Sequence, residues 1–411
     1  MSDIIVGIDI GTSKVCTVIG QLGRADELVI IGEGMDSCCG IKKGVIVDIE
    51  STARAVKNSV EQAEAKADIK IGSAYVNIIG MHVSVLNYRS EINRSGEENE
   101  ISQRDIDKVL HNVRDIELPE DRQLIDIIPR QYIIDGYDEI VDPIGMLGVK
   151  MEVDADVIAA KITSAQNIIK SLEKAGLKID GLVVESFATA EMALTQEEKD
   201  IGVILVDVGG GVTDISVYKN NRLLFYDSIP VGGDHITNDI SIGLKISHND
   251  AEKIKRQFEL ALTSLIKNDQ DILVNEINEN KKKAVKVSEV VEIIECRVHE
   301  ILYLCNELLC KSGIRESLPA GIVLTGGGIS HIDGGKQLAS EVFELPVRIA
   351  TPKLNGITKS EFMTAAGIVR FANNNKKGTS LINEIKNKKQ VQKNNENGVF
   401  KKLSALFKKL S

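Results

Sequence analysis

Two short segments of this 411-residue chain place an acid just ahead of a glycine bend: Ile8-Asp9-Ile10-Gly11 and Val206-Asp207-Val208-Gly209. A glycine-rich hairpin turn lets successive backbone N–H groups aim at one anion, and the missing side chains allow close approach. The carboxylate before each turn repels phosphate, yet it can hold a hydrated Mg2+ that bridges to phosphate oxygens. Two such turns facing across a cleft would clamp a polyphosphate from both sides. Taken singly, an Asp-x-Gly turn also describes an ordinary hairpin; the pair is more informative. A third element, Ile322-Val323-Leu324-Thr325-Gly326-Gly327-Gly328, reads as a buried strand ending in a triple glycine that can lie flat against a purine and its ribose. Neither GxxxxGK[ST] nor GxGxxG occurs, which disfavours the commonest nucleotide folds.

Those turns need strands to present them. Residues 4–10 and 15–19 read as two strands joined by Gly11-Thr12-Ser13-Lys14, and residues 203–208 and 215–218 repeat the arrangement around Gly209-Gly210-Gly211. Residues 51–66 read as a helix with Ser51 as N-cap. Residues 163–175 read as another, capped by Thr163 or Ser164 and stopped by Gly176. From 81 to 160 the chain is rich in Pro, Gly and β-formers, as expected of a small α/β insertion. Residues 248–311 read as mostly helical and charged, with Val290, Ile294, Val298, Ile301, Cys305 and Leu308 on one face. Cys305 there reads as a small apolar core residue. The alternation of strands and helices predicts an α/β protein of roughly two to four domains.

Composition narrows the class. With 43% hydrophobic and 27% charged residues the chain is an ordinary folded protein. No apolar run approaches the roughly 20 residues that span a bilayer. The N-terminus shows no secretion-signal pattern. Six cysteines make neither a disulfide framework nor a CxxC pattern, so reduced thiols and a cytosolic location are expected. His82, His111, His235, His248, His299 and His331 show no metal-ligand spacing, and no Ser-His-Asp or Cys-His nucleophile arrangement stands out. His235, beside Gly232-Gly233-Asp234, reads as a loop hydrogen-bond partner rather than a nucleotide contact.

Charge is unevenly spread. Residues 371–411 hold ten Lys and two Glu, a balance of +8 within a net charge of −10, which leaves −18 on residues 1–370. The acidic body repels nucleic acid, while the tail is drawn to anionic surfaces. Residues 372–398, rich in Asn and Lys, have a linker composition with a coil reach of about 30 Å. In the last thirteen residues, Val399, Phe400, Leu403, Leu406, Phe407 and Leu410 fall on an arc of about 120° on a helical wheel, and Lys401, Lys402, Lys408 and Lys409 lie outside it. That pattern fits a helix lying in a membrane interface with its lysines toward anionic headgroups. Docking on the protein's own groove and binding a partner protein are the other readings; the polar linker argues against the first. Four lysines contribute roughly 4 kcal/mol at an anionic surface, so one tail binds weakly and several side by side bind firmly.

In this order, the three glycine elements resemble the phosphate 1, phosphate 2 and adenosine motifs of the superfamily that unites actin, ATP-driven chaperones and sugar kinases. DGLVVESFATAEMAL (180–194) and TAAGIVRFA (364–372) resemble its two small-residue helices at the hinge. Within it, IPRQYIIDGYDEIVDPIGMLGVKMEV (128–153), SIPVGGDHITNDISIGLKISHNDAEKIK (228–255) and the amphipathic C-terminus resemble the FtsA family of bacterial cell-division proteins. The likeness runs through residues 4–372 and the tail and is weakest over 256–290.

The resemblance implies an α/β, actin-like ATPase fold: two lobes around a nucleotide cleft, a small inserted α/β subdomain and a C-terminal amphipathic helix. Residues 1–80, 161–200 and 350–371 would form the first lobe, and 201–231 with 316–349 the core of the second. Residues 232–315 would be the second lobe's helical part, 81–160 the insertion serving self-assembly and partner contacts, 372–398 the linker and 399–411 the membrane helix. Carried over residue by residue, Asp9 and Asp207 would organise Mg2+, largely through water, and Gly11, Thr12, Ser13, Gly209, Gly210, Gly211, Val212 and Thr213 would bind the phosphates of ATP. Glu252 and Lys255 would contact ribose or base, and Gly326, Gly327 and Gly328 would line the adenosine pocket. Two readings stand for Glu185, a weak general base near the attacking water or a helix N-terminal acid favoured by the dipole. Two also stand for Lys14, a phosphate ligand or a solvated strand residue.

The function implied is an ATP-binding, filament-forming adaptor that tethers the FtsZ ring to the cytoplasmic face of the membrane at the division site. FtsZ, other copies of the chain, anionic lipids and other division proteins would be its partners, with slow ATP hydrolysis at most. A small-molecule kinase of the same superfamily is the enzyme alternative, but it would have no use for a basic amphipathic tail. A pilus-assembly adaptor related to FtsA is the binding-module alternative, and the tail counts against it too.

Overall fold

The computed structural model describes residues 4–23, 28–94, 100–277, 282–314, 318–351 and 360–375. The expected linker and tail, including the membrane-binding residues 399–411, lie outside the described residues.

Strands Ile4–Ile10 and Lys14–Leu22 pair antiparallel, with Ile10 opposite Val15 and Asp9 opposite Cys16. Ser73–Ile78 runs parallel on the other side of Ile4–Ile10, which is thus central in its sheet, and its residues from Ile5 to Ile10 are buried. The sheet is completed by Lys178–Val184 beyond Ser73–Ile78 and by Leu28–Ser37 beyond Lys14–Leu22. Helix Ile49–Ala67 covers it with Thr52, Val56, Ser59 and Ala63, spaced three or four apart as one helical face requires. Its N-cap is Asp48 rather than the expected Ser51: the extended Asp48 accepts from Glu50 N at 3.0 Å and Ser51 N at 3.1 Å. A carboxylate one step ahead of the turn meets those N–H groups, whereas Ser51 already sits inside the helix and is buried.

Helix Ile162–Lys174 also departs from expectation. Neither Thr163 nor Ser164 caps it, because strand Lys150–Lys161 runs straight into it and puts both in the first turn. Gly176 does end it, at φ +88°, with Leu177 N donating to Leu172 O at 3.0 Å.

A second sheet repeats the plan of the first. Val203–Val208 and Thr213–Lys219 form the antiparallel hairpin, Ile322–Thr325 is the parallel neighbour, and Arg222–Ile229 and Val347–Ile349 are the edges. Helices Gly233–Leu244, His248–Phe258, Val287–Ser312 and Gly335–Phe343 enclose one large core with it. On the long helix Val290, Ile294, Val298, Ile301 and Cys305 are buried as expected, but Leu309 takes the place of Leu308. The expectation of mostly helix over 248–311 is wrong between helices: Asp271–Asn275 and Lys282–Lys286 form a β-hairpin. Its period-2 pattern buries Val274 and Val285 and leaves Leu273 exposed.

Two helices, Glu185–Ala193 and Met363–Asn374, link the halves. The second packs on strand Ile4–Ile10, where a side chain on Gly7 would collide with Ala365 O. The first reaches strand Val203–Val208 through Thr189 Oγ1, which donates to Asp207 Oδ2 at 3.0 Å.

Residues 85–160 form a compact α/β unit of their own. In its sheet, strand Lys150–Lys161 is flanked by Val83–Asn93 and Arg122–Ile134. Helix Gln103–Arg114 presses Ile106, Val109 and Val113 onto Met151, Val153, Ala155 and Val157 of that sheet. The opposite face carries charge: Arg89 pairs with Glu152 at 2.8 Å, Asn87 bonds Asp154 at 2.7 Å, and Arg130 pairs with Asp156.

Candidate functional site

The two glycine turns meet. Each hairpin closes in the same way, Gly11 N donating to Lys14 O at 3.0 Å and Gly209 N to Val212 O at 2.9 Å. A Cβ on Gly211 would lie 2.7 Å from Thr12 Cγ2, and one on Gly210 would overlap Ser13 Oγ. Glycine is thus required where the bends touch, and side chains would drive them apart.

The third glycine element packs beside the second turn. Gly326 has φ +94°, which glycine adopts without strain, and Gly328 N donates to Val208 O at 2.8 Å. Gly233 N donates to Gly209 O at 2.9 Å, so the start of helix Gly233–Leu244 joins the same backbone cluster. His235 makes the expected local bond, its Nδ1 accepting from Gly232 N at 3.1 Å.

Beneath the turns lies a set of acids. Asp9, Asp207, Glu185 and Asp214 all line one cleft. Asn77 ties two of them, donating to Asp9 Oδ1 at 2.8 Å and Glu185 Oε2 at 3.3 Å, while its own Oδ1 accepts from Ile10 N at 2.7 Å. Asp214 accepts from Tyr226 OH at 3.0 Å and from Ser228 Oγ. Burial pushes the Asp9 carboxyl up to about 7, with Lys14 pulling down and Asp207 and Asp214 pushing further up. Burial likewise raises Asp207 to about 6, against the Thr189 hydrogen bond and Lys14. Asp214 is raised to about 7, and Glu185 well above the carboxylate range by burial and then by Asp214, Asp9 and Asp207. Such a cluster of acids is short of positive charge, and a divalent cation supplies it. Among the described residues no three His, Cys, Asp or Glu side chains converge closely enough to ligate one ion directly. Carboxylate oxygens are the donors that a hard divalent cation such as Mg2+ takes.

On the opposite wall, Glu252 accepts from Lys255 Nζ at 2.7 Å, Arg256 Nε at 2.8 Å and Thr237 Oγ1. Burial alone would raise its carboxyl; the Lys255 and Thr237 hydrogen bonds hold it below the usual range. Lys255 also donates to Gly233 O at 3.1 Å, anchoring this pair to the glycine cluster.

The cleft thus gathers Asp9, Gly11 to Lys14, Glu185, Asp207, Gly209, Gly210, Val212, Glu252, Lys255 and Gly326 to Gly328. Lys14 reaches over it, with Nζ 3.3 Å from the place a Cβ on Gly327 would occupy. Glu185 opens the Glu185–Ala193 helix and lines the cleft. Gly211 and Thr213 do not line it: Gly211 backs onto Thr12, and buried Thr213 turns its hydroxyl to Val231 O at 2.8 Å. Sequence reasoning missed Asn77, Thr189, Asp214, Asp234 and Arg256. Asp214 had a signal, since closing the hairpin at Gly209 sets it directly opposite Asp207. Asn77, on a strand 68 residues from Asp9, had none.

Comparisons with known proteins match this architecture. A family model described as cell division protein FtsA matches residues 204–367, and one described as an SHS2 domain inserted in FtsA matches residues 80–159. Cell division protein FtsA of Bacillus subtilis (strain 168) is 36% identical over 371 residues, covering 90% of this chain and 84% of that protein. Among solved structures, one of the PilM–PilN type IV pilus biogenesis complex superposes with a TM-score of 0.62 at 16% identity, covering 89% of this chain and 98% of the other. MreB5 of Spiroplasma citri bound to ADP superposes with a TM-score of 0.51 at 16% identity, covering 90% and 95%. These likenesses make the fold actin-like.

Proposed function

Because the chain belongs to the FtsA family of cell division proteins, we propose that it binds Mg·ATP between its lobes, polymerises, and tethers FtsZ filaments to the cytoplasmic membrane. The observation that carries the nucleotide reading is the meeting of the two glycine turns above the Asp9, Asp207, Asp214 and Glu185 carboxyls. Asp9 and Asp207 would hold Mg2+ through water, and the ion would supply charge neutralisation between acids and phosphates. Thr12, Ser13, Gly210 and Val212, which line the cleft at the two turns, would offer backbone N–H groups to the phosphates, and Lys14 adds a cation. Gly326 to Gly328 would line the place of the purine and ribose, and Glu252 and Lys255, which line the same cleft, would contact ribose or base.

A ligand that touches both lobes favours the conformation in which they are closed, which links nucleotide state to assembly. Slow hydrolysis is the most this arrangement calls for, because binding and turnover are separate demands. Residues 399–411 supply the membrane contact, weak in one copy and strong in a polymer. Vesicle pelleting tests the tether. The full chain with ATP should co-sediment with anionic liposomes, and a chain lacking residues 398–411 should stay in the supernatant; equal sedimentation of the two refutes it.

A further inference from the structure

Ser13 and Asp234 are 221 residues apart in the chain and bonded to each other across the cleft. Ser13 Oγ donates to the Asp234 carboxylate, 3.0 Å from Oδ1 and 2.9 Å from Oδ2. The contact passes over the second glycine turn, where a Cβ on Gly210 would lie 3.2 Å from Asp234 Oδ2. Asp234 is held in place by its own backbone, its N donating to Gly210 O at 2.8 Å. It stands in the first turn of helix Gly233–Leu244, where a negative charge is favoured. The Ser13 hydroxyl of the first turn is therefore already engaged by one of the protein's own anions.

We infer that Asp234 is an internal competitor of the nucleotide's phosphates: its carboxylate holds Ser13 across the cleft and must release it when Mg·nucleotide enters. The inference rests on the nucleotide reading proposed above and adds to it a determinant of selectivity. A serine hydroxyl has a single hydrogen to donate, so a phosphate oxygen and Asp234 cannot both receive it. A carboxylate beside the phosphate turns also repels each negative charge brought near it. The repulsion grows with the number of phosphates, and both effects vanish for the nucleoside. The bond is solvent-accessible, so an entering ligand can displace it. Because Ser13 and Asp234 belong to opposite walls, the exchange also removes one tie between them.

Asparagine at 234 keeps a carbonyl acceptor for Ser13 but loses the charge, and alanine removes both. Calorimetric titration of the full chain with Mg·ATP, Mg·ADP and adenosine tests the inference on the parent protein, Asp234→Asn and Asp234→Ala, each first shown to melt cooperatively. Asp234→Ala should bind Mg·ATP about fivefold tighter or more, as release from a mostly closed latch requires, and Asp234→Asn should gain less, through loss of the repulsion alone. The gain should be smaller for Mg·ADP and absent for adenosine. Unchanged or weaker Mg·ATP binding in whichever variant folds, or an equal gain for adenosine, overturns it. A parent chain that binds no Mg·ATP removes the nucleotide reading itself, whereas a parent that binds while the variants match it removes only the role of Asp234.

Discussion

Gly367 of helix Met363–Asn374 lies against the carbonyl oxygen of Ala188 in helix Glu185–Ala193, so closely that a Cβ there would overlap it. The obstacle is backbone, which cannot swing aside as a long side chain would. Ala188 and Ile368 are fully buried at the crossing, and the Phe187 and Phe371 rings stack beside it at 5.9 Å between centroids. Gly367→Ala should therefore cost about 1–3 kcal/mol through overpacking, read as a lower midpoint in denaturant. Gly243→Ala is the comparison, because the atom it would meet is the tip of Ile293. Equal midpoints for the two variants would contradict the crossing geometry.

Asp207 is bonded to Thr189 of a linking helix and set among the cleft acids. Asp207→Ala should weaken Mg·ATP binding about tenfold or more, which is roughly 1.4 kcal/mol. In the absence of ligand the same variant should melt no lower than the parent, because one of several mutually repelling buried acids is gone. Parent-like affinity in a calorimeter would remove Asp207 from the metal site.

The raised carboxyls make stability depend on pH. Asp9 and Asp214 are pushed up to about 7 and Asp207 to about 6, each from an ordinary 3.8. Between those limits the folded protein keeps protons that the unfolded chain has released. Stability is then full below about pH 4 as far as these groups are concerned, falls as pH rises, and the loss is complete above about pH 7. The ligand-free melting temperature should carry that decline between pH 5.5 and 8, and Asp214→Asn should flatten it. Added Mg·ATP should raise the melting temperature more at pH 8, where the acids are ionised. An identical pH profile for parent and Asp214→Asn would rule out the charge cluster as its cause.

Arg348 holds strand Val347–Ile349 to helix Gln196–Ile201, with Nε and Nη2 each 2.6 Å from a Glu198 carboxylate oxygen and Nη2 2.7 Å from Ala193 O. Lysine cannot reproduce that fork. Arg348→Lys should lose about 1–2 kcal/mol by chemical denaturation. Lys57→Ala, which breaks an exposed 3.9 Å pair with Glu61, should change stability by about 0.5 kcal/mol or less. A similar loss for both would mean the Arg348 fork contributes nothing special.

Local pattern was enough for much of this architecture. Short, nearly continuous apolar runs closed by glycine identify both hairpins and the strand before Gly326, since a fully buried strand and a bend without side chains are properties of short segments. The same holds for the buried stripe from Val290 to Cys305 and the small-residue helices at the crossing. Errors at Ser51, Thr163 and the hairpin Asp271–Asn275 came where a neighbouring acid, a strand running into a helix, or weak alternation among charges competed with the local signal. What surrounds the candidate site is another matter. Asn77 beside Asp9, Thr189 on Asp207 and Asp234 on Ser13 are bonds between elements far apart in the chain. Burial, and with it the upward shift of the acids, arises from packing of both sheets and the linking helices around one cleft. No window of neighbouring residues contains that information, because desolvation and charge repulsion act through space and not along the backbone.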